Sequence, residues 1–236
     1  MDNRMGLGEW IGGAISAVGS VCSKIGGAIM GAVGSFVEGV ALSPVAGIAI
    51  AGEVLKIVVR VISAVADVLA EKPQDESPEE IGYKAKIAAE DEGKVPEDFD
   101  SVNAYIDYLR NDIKIDEERL AEMDEKERYT YASIGAGLYV KQVEEKYGME
   151  LPPEFWRSTV SLEQEGKISK EMPADLINFM KEHDVKNGAV FSDFLSGKLE
   201  VGSKEQQNMY DALKDTYRKE YPEASESELN YKINTL

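Results

Sequence analysis

The sequence predicts an all-α protein of two unlike parts: a glycine-rich, hydrophobic helical hairpin over residues 1–70 and an acidic helical domain over 79–236. A linker at 71–78 joins them. Three observations predict this. Twelve of the 21 glycines fall in the first 70 residues, with only Trp10 and Phe36 among the aromatics. Those residues hold four basic and five acidic side chains, so the rest of the chain carries −17 of the formal −18 and all 11 tyrosines. Between the parts, Glu71-Lys72-Pro73-Gln74-Asp75-Glu76-Ser77-Pro78 has two prolines and almost no apolar residue, the composition of a linker.

In the hairpin, charge-free windows run over 10–23, 25–37 and 39–52, each short of the roughly 20 apolar residues of a spanning helix. Leu42-Ser43-Pro44 supplies a turn, because proline disfavours a helical residue before it. The first hairpin helix is therefore expected over roughly 8–40 and the second over roughly 45–70. Small residues recur in the first at a strict four-residue step, Gly19, Ser23, Gly27, Gly31, Ser35 and Gly39, beside a shorter ridge that includes Gly12. Such a ridge lets another helix approach closely. In an isolated helix in water each glycine would cost roughly 1 kcal/mol relative to alanine, so the ridge points to packing in lipid or in a partner's groove.

The second hairpin helix carries Glu53, Lys56, Arg60, Ser63 and Asp67 along one narrow stripe, and nearly all else from Val54 to Leu69 is Val, Ile, Leu or Ala. A thin charged stripe on a wide apolar face turns to water or into a bundle. Glu53, Lys56, Arg60 and Asp67 are thus candidate pore-lining residues, since ionisable groups in a membrane face a bundle interior or an aqueous path. Burial of the same helix inside a protein core is the plainer alternative.

The acidic part reads as a run of capped helices. Ser77-Pro78-Glu79-Glu80 is a capping box with proline at the first helical position, opening a helix to about Glu92. Asp100 and Ser101 precede an apolar series at helical spacing, Val102 to Ile113, expected to continue to about Met123. Asp124 opens a helix with Tyr131, Ile134, Leu138 and Val143 inward and Gly148 as its stop. Pro152-Pro153-Glu154 starts one through Trp156 to Gly166, and Met172-Pro173 opens the next. Short segments at about 189–196 and a tyrosine-bearing helix near 204–220 follow, and Ser225 with Glu228 is a second capping box before a final short helix. No strand alternation persists beyond a few residues. The acidic run 116–127 reads as a solvated corner between helices.

Several kinds of chemistry are excluded or weakened. A charge of −18 argues against nucleic acid as a partner. One cysteine, Cys22, and one histidine, His183, leave no CxxC site and no His-rich metal site. His183 reads as a surface histidine near a helix end, and Cys22 as inertly buried. Ser161 to Met172 loosely resembles an EF-hand loop, with oxygen side chains at its first, third and fifth places and glycine at the sixth. Serine replaces the leading aspartate and Met172 the bidentate glutamate, so the segment reads as a plain helix-turn-helix. Gly135-Ala136-Gly137 lacks the third glycine of a dinucleotide site. No catalytic constellation, metal or cofactor is implied.

The hairpin over residues 8–70, tied to an acidic helical domain, resembles bacterial helical pore-forming toxins. The opening Met1-Asp2-Asn3-Arg4 is not net basic and the apolar tract outruns a signal h-region, so no cleaved secretory signal is expected. That makes effectors of type VI secretion and related contractile injection systems the more apt comparison, although in colicin-like toxins the hairpin is C-terminal. The resemblance implies a protein made in the bacterial cytoplasm, secreted, and acting at the target cell's inner membrane. It also implies a lipid bilayer and further copies of the chain as partners, a secretion-machine component or chaperone, and a cognate immunity protein. The alternative expectation is a structural or docking protein of a phage tail or injection machine, its apolar N-terminus buried in a partner.

Overall fold

Local side-chain chemistry sets the helix ends. The computed structural model describes residues 50–69 and 76–236. The first hairpin helix and its ridge of Gly12, Gly19, Ser23, Gly27, Gly31, Ser35 and Gly39 lie outside the described residues, as does Cys22. The second hairpin helix, expected over 45–70, is described as α1, Ile50–Leu69. The described residues that follow are helical or connecting turn, apart from an isolated bridge between Glu150 and Asn187, so the described residues are all-α.

The helix α2, Pro78–Asp91, opens with the predicted capping box: Ser77 Oγ accepts from the Glu80 amide while the Glu80 carboxylate accepts from Ser77 N–H. A single 3-10 turn at Pro96–Asp98 leads to α3, Val102–Asn111, capped by Ser101. Here the chain departs from the expectation of one helix to Met123. It leaves the helix after Asn111, buries Ile113, and restarts as α4, Glu117–Ala121, where the Asp116 carboxylate caps the amides of Glu118 and Arg119. Asp116 thus satisfies the orphan amides of a new helix start, which an uninterrupted helix would not leave open. The longest helix among the described residues, α5, Glu125–Tyr147, begins where the Asp124 carboxylate accepts from Glu127 N–H and stops at Gly148, whose φ of +60° suits glycine.

Beyond it come α6, Pro153–Gln164, then α7, Met172–Glu182, and α8, Ala189–Leu195. Helix α9 spans Lys204–Glu220, and α10, Glu226–Asn234, opens on the second predicted capping box, Ser225 with Glu228. The segment likened to an EF-hand is the end of α6, a turn around Gly166 and the start of α7.

The described residues form two compact units. One comprises α1 as far as Ser63 with the chain from Glu76 to Gln142; the other comprises Ala64 to Leu69 with Val143 to Leu236. In the first, α2 packs on α3 and crosses α5 backbone to backbone at Gly82 and Gly135. The predicted inward residues Ile134 and Leu138 are fully buried there. The Arg128 guanidinium donates to the carbonyls of Leu120 and Ala121, closing the C-terminus of α4, and to Glu79 at 2.9 Å. In the second unit α9 packs along α7. Trp156 is fully buried, meets Phe155 edge to face at 5.2 Å and donates its indole N–H to the Leu151 carbonyl.

Candidate functional site

Helix α1 is the part of the predicted membrane-active segment that the structure describes. Val58, Val61, Ile62, Val65, Ala66 and Leu69 are all buried, at steps of three, one, three, one and three. That spacing keeps six apolar side chains on one face over three turns. On the opposite side Lys56, Arg60 and Asp67 are exposed, while the Glu53 side chain lies outside the described residues. Ser63, also in the polar stripe, is half-buried and donates to the Val59 carbonyl at 2.9 Å. Val68 is 62% exposed, so the apolar surface is wider than the face the fold covers. The last turn is anchored by Lys146 Nζ, which donates to the Leu69 carbonyl at 2.6 Å. Among the described residues no helix is long and apolar enough to cross a membrane.

The chain after α1 is held by a charged cluster that the sequence does not announce. Glu76, expected to be a linker residue, puts one carboxylate oxygen 3.1 Å from Lys84 Nζ and the other 3.1 Å from Arg110 Nε. Its backbone carbonyl accepts from the Tyr139 hydroxyl at 2.8 Å. The Lys84 and Arg110 side chains retain only 8% and 13% exposure, so Glu76 neutralises two cations largely removed from water.

An aromatic cluster lies just before Arg110 in sequence. The Phe99 ring lies tilted against Tyr105 at 5.2 Å and against Tyr108 at 5.0 Å. Burial pushes the Tyr105 phenol well above its usual range, and its hydroxyl has no hydrogen-bond partner among the described residues. Tyr108 donates to Glu92; desolvation and that bond to a carboxylate push it up to about 12.

A third feature lies where α9 turns into α10. Tyr221, Pro222 and Tyr231 line an open concavity of about 800 Å³ with Glu220, Glu223 and Lys232. Tyr231 is 71% exposed and Tyr221 36%. The Glu228 carboxylate, also lining it, is held below the usual carboxylate range by hydrogen bonds from the Ser225 hydroxyl and amide. Sequence reading did not single this place out; the signal available was Tyr221-Pro222 followed nine residues later by Tyr231.

His183 closes α7 as expected, and its Nε2 lies 2.8 Å from an Asp215 carboxylate oxygen, a partner not legible from sequence. Among the described residues no cluster of His, Cys, Asp and Glu side chains is arranged to hold a metal ion. Family models, curated proteins and solved structures were all compared with this chain, and none of them matches it.

Proposed function

We propose that the chain is an antibacterial pore-forming effector that inserts residues 8–70 into a target cell's inner membrane and depolarises it. One observation carries the reading. Helix α1 keeps a six-residue apolar face covered while Lys56, Arg60 and Asp67 are exposed, the form in which an insertion helix travels through aqueous solution. In lipid the acyl chains take over the apolar face that the fold now covers, so the exchange is near balance in hydrophobic terms. With its four charged residues α1 is a poor lone span. It acts as one member of an assembly of several copies, with Glu53, Lys56, Arg60 and Asp67 along a water-filled path. Gly12, Gly19, Ser23, Gly27, Gly31, Ser35 and Gly39 supply the close helix contacts. Delivery by a contractile injection machine, with a chaperone or carrier in the producer and an immunity protein guarding it, completes the proposal.

Expression of the full chain in the compartment facing a bacterial inner membrane tests it. Growth arrest with loss of membrane potential is the expected result. Normal growth with the folded protein present at that membrane would transfer the reading to a structural or docking protein of an injection machine.

A further inference from the structure

The concavity between α9 and α10 combines shape, exposed aromatic surface and unbalanced negative charge. Among the described residues Glu220 and Glu223 form no ion pair, and the Glu228 carboxylate is held by hydrogen bonds from the Ser225 hydroxyl and amide. The cation in the lining, Lys232, is already engaged: its Nζ sits 4.2 Å above the ring of Tyr221. Tyr217 also stacks on Tyr221, with ring centroids 6.1 Å apart and an angle of 17°. Tyr217 is buried and donates its hydroxyl to the Lys167 carbonyl at 2.8 Å, so the aromatic wall is fixed from behind. Tyr231, 71% exposed, presents its ring to water in the same concavity as Glu220 and Glu223, which form no ion pair among the described residues.

We infer that this concavity is a docking site for an arginine-bearing, basic segment of a partner protein. An aromatic face attracts a cation through its quadrupole, and Lys232 over Tyr221 already demonstrates that the wall accepts one. A guanidinium stacks on a tyrosine ring while its N–H groups reach flanking carboxylates, which joins the two features that Tyr231 and the Glu220–Glu223 pair offer separately. Nucleic acids and anionic bilayers carry the wrong sign for such a rim. The inference is independent of the membrane action proposed for residues 8–70.

The test uses the full chain and a fluorescein-labelled hexa-arginine peptide, read by fluorescence anisotropy at physiological ionic strength. There the Debye length is about 8 Å, so distant carboxylates are screened and neighbouring ones are not. Tyr231→Ala is expected to weaken binding about three- to tenfold, and Glu220→Gln/Glu223→Gln by a similar factor. The control Glu117→Gln/Glu118→Gln removes the same charge from exposed positions on α4 and is expected to leave affinity unchanged. Absence of binding by the parent protein would overturn the inference, as would equal weakening by the control or indifference to Tyr231→Ala. Sedimentation with phosphatidylcholine vesicles that depends on Tyr231 would overturn it in favour of a lipid surface.

Discussion

Gly82 lies so close to Tyr131 that a Cβ on it would come within 1.9 Å of the Tyr131 carbonyl oxygen. The contact is reciprocal in kind, since a Cβ on Gly135 would come within 1.9 Å of the Pro78 carbonyl oxygen. Helices α2 and α5 therefore meet through their backbones, and neither can yield without shifting a whole helix. Gly82→Ala and Gly135→Ala are each expected to destabilise the protein by about 3 kcal/mol or more, at the upper end for overpacked cores. Urea unfolding followed by circular dichroism measures this; a loss near zero in either variant would contradict the close crossing.

The Glu76 cluster leads to a prediction about coupling. Glu76→Ala strands Lys84 and Arg110 with little water around them, a loss of about 2–3 kcal/mol given their residual exposure. Adding Lys84→Met to Glu76→Ala is expected to recover part of that loss, so the two changes are non-additive. Strict additivity in a double-mutant cycle would show that the two side chains do not act on each other.

Alkaline pH should expose the buried tyrosines. The phenols of Tyr105 and Tyr217 are raised by burial, and Tyr108 is raised to about 12 from an unfolded value of 10.0. A group whose folded pKa is raised contributes stability fully present below its unfolded pKa and lost as pH climbs through its folded pKa. Stability is thus expected to hold up to about pH 10 and fall steeply towards pH 12. Tyr105→Phe and Tyr217→Phe should flatten that fall, as read from urea midpoints across the range. An unchanged slope in both variants would contradict the assignment.

Much of this was legible because it is local. The capping boxes of Ser77 with Glu80 and Ser225 with Glu228, and the stop at Gly148, each depend on side chains within four residues of the helix end. The break at 112–116 was not, because periodicity alone cannot weigh one continuing helix against Ile113 finding the core and Asp116 capping a new start. Gly135, dismissed as part of an incomplete nucleotide motif, has its reason in Pro78, 57 positions away in sequence. Glu76 stood in a polar, proline-containing stretch, and only the fold brings Lys84 and Arg110 to it. The Tyr221–Tyr231 concavity likewise depends on the turn that folds α10 back on α9.

Loosening the seat of α1 links stability to the proposed action. Ile62 is 1% exposed, and Ile62→Ala is expected to cost about 2–4 kcal/mol. If α1 must leave its seat to enter lipid, the same substitution should lower the protein-to-lipid ratio at which vesicles leak. A variant that is less stable yet needs as much protein as the parent would separate α1 from the membrane step.

The most direct measurement is release of a trapped dye from phosphatidylethanolamine–phosphatidylglycerol vesicles by the full chain and by Gly27→Leu/Gly31→Leu. Circular dichroism and tryptophan fluorescence would verify that the domain around Trp156 stays folded in both. Release by the parent protein and its loss in the variant are expected, because leucine would fill the groove proposed for those positions. No release by the folded parent at any protein-to-lipid ratio would contradict membrane permeabilisation, and undiminished release by the variant would contradict the glycine ridge as its basis.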